Sequence, residues 1–111
     1  MPRVPNIDQA TIDPRKITHY LLELTHSEGG GKAAFLLDFG FKISEWQVLR
    51  DALLEHSLAY DYVRFQHQAY GRAYRVSGRL RSPDGRNPRV AVVWQIRHGE
   101  NHPRLITAFP D

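Results

Sequence analysis

The sequence contains no cysteine. That excludes disulfides, thiolate nucleophiles and cysteine-ligated zinc, and it fits a reducing compartment. A cytoplasmic protein is the expectation. No run approaches the roughly 18 apolar residues that a membrane helix requires. The opening stretch MPRVPNIDQATIDP lacks the apolar segment of a secretory signal, so no membrane role is expected. A start at Met1 without a linker gives the expectation of a free-standing protein. There is no internal repeat. No G-x-S-x-G elbow is present, which removes support for serine-hydrolase chemistry. None of the six histidines (His19, His26, His56, His67, His98 and His102) belongs to an H-E-x-x-H motif, so neither a metal nor a cofactor is expected. Beyond residue 63 the carboxylates are only Asp84, Glu100 and Asp111. That argues against chemistry run by paired carboxylates.

What the chain does have is an uneven distribution of charge. Residues 1–63 hold six Lys/Arg against nine Asp/Glu, a net of −3. Residues 64–111 hold nine arginines and no lysine against three acids, a net of +6. The planar guanidinium fork suits bidentate contacts to phosphate or carboxylate. A basic half therefore implies an anionic partner, either nucleic acid or an acidic protein. The length of 111 residues allows one domain with one core.

The hydrophobic period divides that domain into three parts. Residues 1–12, with two prolines and little periodicity, read as an extended arm lying on the domain. Residues 13–57 read as helical. Asp13-Pro14 is a helix start, with Asp as N-cap and Pro at the first position. Ile17, Tyr20, Leu21 and Leu24 then form an apolar face and predict a helix to about Leu24. A second, short helix is expected over 32–38, with Gly40 as its left-handed C-cap before Phe41. Ser44 to Gln47 fits a capping box. Trp46, Leu49, Leu53 and Leu54 then predict the buried stripe of a third helix ending near His56. His19 and His56 are expected at the surface. From residue 61 to 110 the period drops to two. Strands are expected over 62–69, 73–80, 89–97 and 104–109, with Ser82-Pro83-Asp84-Gly85 as a strong turn. In the third strand Val90, Val92, Trp94 and Ile96 share one face; Arg89, Ala91, Val93, Gln95 and Arg97 share the other. Short loops make the sheet antiparallel. The predicted fold is α+β: three N-terminal helices, then a four-stranded antiparallel meander, with the helices packed on one face.

One segment invites a chemical reading. HSEGGGKA, residues 26–33, places three glycines before a lysine. A Walker loop needs G-x-x-x-x-G-K-[ST] after a strand. Here His26 stands at the leading position, Ala33 replaces the magnesium-binding hydroxyl, and a helix precedes. A dinucleotide fingerprint fails because no βαβ unit surrounds the glycines. What survives is an anion site at the start of the second helix, with Lys32 beside it and His26 able to titrate near neutrality. The alternative is a plain interhelix hinge. Histidine, lysine, arginine and threonine around a small sheet suffice for metal-independent RNA cleavage. Histidine moves the protons, and the cations stabilise the pentacoordinate phosphate.

The chain also carries a pattern spanning nearly its whole length: IDPRKITHYLL, H-x5-KAAFL-x-DFGF, W-x2-L, YGRAYRVSGRL, PDGR, VVWQI and PRLITAFP. This pattern resembles a group of small bacterial domains of unknown function found in toxin settings. Its element order is similar to that of the barnase/EndoU/colicin/RelE-like ribonuclease superfamily. The family pattern ends in TAYP. Phe109 here lacks that phenol, which puts any role for it in question. The resemblance points to His26, Lys32, Tyr70, Gly71, Trp94, Arg104 and Thr107. Trp94 reads as packing between helices and sheet, and Tyr70-Gly71 as a turn.

Two functional expectations follow. The first is a metal-independent ribonuclease-like toxin. His26 is its general base or acid, Lys32 and Arg104 hold phosphate, Thr107 orients it, and His67 is the second proton carrier. Gly30, Gly31, Tyr70, Arg72 and Arg97 make up the expected substrate-binding set. RNA is the expected substrate, and an acidic antitoxin or immunity protein the neutralising partner. The second is a non-catalytic module whose basic sheet face binds an acidic protein or nucleic acid.

Overall fold

The computed structural model describes residues 2–26 and 30–111. The element order is a 3₁₀ turn at Ile7–Gln9, helix α1 at Pro14–Lys16 continuing as a π-helical segment at Ile17–Leu21, helix α2 at Gly30–Asp38, a 3₁₀ turn at Ile43–Glu45, helix α3 at Trp46–Ala59, and strands β1 (Tyr62–Gln68), β2 (Gly71–Arg79), β3 (Arg89–Arg97) and β4 (Arg104–Pro110). The strands form one antiparallel sheet in the order β1-β2-β3-β4. The fold is α+β with a four-stranded meander, as the period change predicts.

The sheet's contribution to the core comes from one face. Tyr74, Val76, Val90, Val92, Trp94, Ile96, Leu105 and Ala108 meet Ile17, Leu21, Leu22, Leu36, Leu49 and Leu53. Trp94 is fully buried and its indole N–H donates to the Ser57 hydroxyl at 2.7 Å, so the packing reading of this tryptophan holds. The arm threads beside β4: Thr11 N–H donates to the Pro103 carbonyl and Leu105 N–H to the Thr11 carbonyl. Val4 and Ile7 sink into the core from this arm.

Three local readings change. First, the helix begun by Asp13, whose carboxylate accepts from Arg15 N–H at 2.9 Å, ends at Leu21 instead of Leu24. Leu24 is 57% exposed. The cause is the adjacent pair Leu21-Leu22. In an α-helix Leu22 would lie about 140° round from Ile17. The wider π segment, closed by Leu22 N–H to the Ile17 carbonyl at 2.9 Å, brings Ile17, Leu21 and Leu22 into the core together. Second, Ser44 makes no capping bond. It lies within a 3₁₀ turn, and α3 starts after Glu45. Third, His56 is buried, 2% exposed. Its Nε2 lies 3.0 Å from the Val90 carbonyl and 3.2 Å from that of Gly78, and its Nδ1 lies 3.2 Å from the Ser57 hydroxyl. Two carbonyls on Nε2 require the proton there, so Nδ1 accepts. By contrast, the Gly40 cap is as expected. Gly40 has φ +100°, Phe41 N–H reaches the Leu36 carbonyl, and Gly40 N–H reaches that of Leu37.

Candidate functional site

The site lies where the π segment, the start of α2 and the β4 edge meet. β4 carries an irregularity there: Leu105 pairs with Trp94 and Thr107 with Val93, leaving Ile106 as the extra residue. Such a bulge re-aims the side chains beside it. Leu105 and Ala108 stay in the core, while the Thr107 hydroxyl meets the helices. Lys32, in the first turn of α2, donates to the Tyr20 phenol oxygen at 2.5 Å and to the Thr107 hydroxyl at 3.1 Å. The two hydroxyls are 3.1 Å apart, so the three groups close a triangle. The His26 ring stands edge-on to Tyr20, with centroids 4.9 Å apart and planes at 82°.

Glycine holds this arrangement together. A Cβ on Gly30 would lie 2.6 Å from the Leu24 carbonyl oxygen, so only glycine lets α2 start this close to the end of the π segment. Gly30 N–H donates to the His26 carbonyl at 2.9 Å. Ser27, Glu28 and Gly29, the rest of the glycine loop, lie outside the described residues.

A concavity of about 720 Å³ opens over the triangle, lined by Asp13, Lys16, His19, Tyr20, His26 and Thr107 among others. His19 Nδ1 lies 2.7 Å from the Thr18 hydroxyl, which donates to the Pro14 carbonyl at 3.2 Å. Burial pushes the Tyr20 phenol up, but the bonds from Lys32 and Thr107 and the charges of Lys32 and Lys16 outweigh it. The phenol therefore lies below its ordinary pKa. Among the described residues Lys32 has no carboxylate partner. The concavity thus gathers Arg15, Lys16, two hydroxyls, two imidazoles and the Asp13 carboxylate, with Lys32 bonded to both hydroxyls beneath it.

The structure thus brings together His26, Lys32 and Thr107 of the expected set, with Gly30 and Gly31 at the base of α2. It does not bring in His67. That residue sits on β1 while Thr107 sits on β4 at the opposite edge, three interstrand spacings or roughly 14 Å away. Arg104 lies on the same strand as Thr107, but its guanidinium is paired with both Glu100 carboxylate oxygens, at 3.0 and 2.5 Å. Tyr70 and Arg97 line a separate hollow at the far end of the sheet with His98, and Arg72 is exposed opposite His67. Gly71 holds its turn because a Cβ there would lie 2.1 Å from the Ile96 carbonyl oxygen. His98 and His102 stand four residues apart, but no group of three potential metal ligands occurs among the described residues. Phe109 stacks under Arg75, at 5.0 Å, in a groove with Arg64 and Gln66, so the phenol of the candidate site comes from Tyr20. Sequence reasoning assigned Tyr20 to the apolar face of the first helix. The available signal was its position: a hydroxyl-bearing ring amid leucines needs a polar partner for its tip.

Residues 3–111 match the model of a family described as a domain of unknown function, DUF6883. No curated protein matches the sequence. A chain of the contact-dependent growth inhibition toxin–immunity protein complex from Klebsiella pneumoniae 342 shares the fold, with a TM-score of 0.73 at 16% identity, over 96% of this chain and 97% of that one.

Proposed function

The chain belongs to the DUF6883 family, and on that footing we propose that it is a toxin-like module that cleaves RNA without a metal. The observation that carries this reading is the triangle of Lys32, Tyr20 and Thr107 under a concavity that also holds His26 and His19. Cleavage of an RNA phosphodiester requires three things of a protein. The 2′-hydroxyl gives up a proton, charge building on the phosphoryl oxygens is stabilised, and the departing 5′-oxygen gains a proton. The 2′-oxygen forms a new bond to phosphorus as the bond to the 5′-oxygen breaks, leaving a 2′,3′-cyclic phosphate and a 5′-hydroxyl. His26 and His19 divide the two proton transfers. Lys32, Tyr20 and Thr107 donate to the phosphoryl oxygens, helped by the positive end of α2. His19 takes the place given to His67 on sequence grounds. Arg104, tied to Glu100, holds the turn before β4 and does not touch the phosphate.

The shared fold with a chain of a toxin–immunity protein complex supports a toxin setting, and with it an acidic neutralising protein as partner. The test is induction of the wild type and His26→Ala in a bacterial host, following growth and total RNA. Growth arrest with RNA fragmentation in the wild type alone is expected. Normal growth with intact RNA in both sinks the reading. A second reading keeps one observation of its own. Arg64 and Arg97, on the sheet face opposite the core, have no ion-pair partner among the described residues. A binding module using that face gives salt-sensitive association and no turnover.

A further inference from the structure

The Tyr20 ring has a second cation beside it. Lys16, the last residue of α1, places its Nζ 5.3 Å from the ring centroid, against 5.0 Å for Lys32 Nζ. The i, i+4 spacing from Lys16 to Tyr20 across the start of the π segment produces this neighbourhood. The two ammonium groups share neighbours: Lys16 lines the concavity with Tyr20 and Thr107, the two hydroxyls that Lys32 bonds. They are nevertheless differently placed. Lys32 is bound into the triangle of hydroxyls, whereas Lys16 has no hydrogen bond or carboxylate partner among the described residues. Neighbouring Arg15 is already engaged by Asp13, at 3.3 Å. Tyr20 thus has a cation beside it from each of two elements, α1 and α2, and the one on α1 lines the concavity. The one carboxylate in the wall, Asp13, pairs with Arg15 and also lies close enough to Lys16 to feel its charge.

We propose that Lys16 forms a second phosphate subsite, which takes the phosphodiester next to the one held at Lys32. This inference rests on the ribonuclease reading and adds a substrate class to it: an oligonucleotide of at least three residues, with two consecutive phosphates. Lys16 touches the flanking phosphate and not the reacting one. It sets which substrates are held and leaves the chemistry to the Tyr20–Lys32–Thr107 triangle. Arg15 stays with Asp13 and closes the outer wall.

The test uses non-cleavable 2′-O-methyl oligonucleotides on the full chain, with binding followed by NMR titration. One is a dinucleotide with a single phosphate and the other a trinucleotide with two. The wild type binds the trinucleotide about tenfold more tightly, the worth of one charge-assisted contact. Lys16→Gln removes that preference, weakens the trinucleotide about tenfold more than the dinucleotide, and lowers the slope of log trinucleotide affinity against log salt by about 0.7. Lys32→Gln weakens both ligands. A Lys16→Gln variant that retains the trinucleotide preference, or that weakens both ligands equally, overturns the subsite. Cleavage of ordinary RNA by the wild type, measured in parallel, reports on the ribonuclease reading separately. A protein that binds two phosphates through Lys16 yet never cleaves would defeat that reading while leaving the subsite in place.

Discussion

At Tyr20 one side chain serves two purposes that a sequence pattern does not separate. Its ring completes the apolar face around Ile17 and Leu21, and its hydroxyl reaches Lys32 and Thr107. Tyr20→Phe keeps the ring and removes one donor from the phosphate site. The account predicts a fall in kcat/KM of about 10²- to 10³-fold with little change in thermal midpoint, measured on a defined RNA substrate and by calorimetry. A stability loss that matches the activity loss would mean the phenol is structural. His56 makes the opposite case, a titratable group with no place in the site. Burial lowers its pKa, against the pull of the Val90 and Gly78 carbonyls, so the folded state holds it neutral. Its folded pKa lies below the unfolded one. The stability it contributes is therefore complete above the unfolded value, near 6.5, and is lost as pH falls through the folded value. Urea unfolding should show stability dropping below about pH 6.5, by at most about 1.4 kcal/mol per pH unit from this group. In His56→Gln that slope should flatten. An unchanged slope would place the acid sensitivity elsewhere.

At the scale of elements, the site depends on how closely α2 approaches the π segment. Gly30 sets that approach, since a Cβ there would stand 2.6 Å from the Leu24 carbonyl oxygen. Gly30→Ala should displace α2 and separate Lys32 from Tyr20. A misplacement of that kind costs activity out of proportion to stability, about tenfold or more, read by comparing kcat/KM with the urea midpoint. Asp13→Ala should shift the balance the other way, removing an N-cap bond and lowering the urea midpoint while kcat/KM falls less than in Gly30→Ala. The elements themselves were mostly legible in the sequence. Strand alternation around Trp94, the Ser82–Gly85 turn and the Gly40 cap all follow from local chemistry, and all are present. The π segment was not legible, because its cause is tertiary: the core accepts both Leu21 and Leu22. The bulge at Ile106 is hidden for a similar reason, since an extra residue between Leu105 and Thr107 leaves no mark on so short a strand. With the bulge went the aim of Thr107, and with the π segment the aim of Tyr20.

At the scale of the whole molecule, the charge split between the two halves survives folding but does not map onto the candidate site. Lys16, His19, Tyr20, His26 and Lys32 all come from the acidic half, and only Thr107 comes from the arginine-rich one. The arginines mostly occupy the sheet: Arg75 and Arg89 are tied to Asp111, and Arg79 to the Asn87 carbonyl. His67, Arg72 and Arg97 accordingly lie away from the concavity over Tyr20 and Thr107. The arginines lie largely on the sheet, whereas the Lys32, Tyr20 and Thr107 cluster meets the sheet at β4, the edge opposite β1. The glycine loop singles out His26 and Lys32 in the sequence while leaving a plain hinge as its alternative, and the structure places both beside Tyr20. Their third partner depends on topology, which places β4 next to α2. The measurement that tests the central claim most directly is incubation of the purified protein, in excess chelator, with a DNA oligonucleotide carrying one ribonucleotide and with its all-deoxy counterpart. The account predicts a cut only after the ribonucleotide, a 2′,3′-cyclic phosphate end, and loss of the cut in Lys32→Gln. Cleavage of the all-deoxy strand, or a cut that persists in Lys32→Gln, would contradict it.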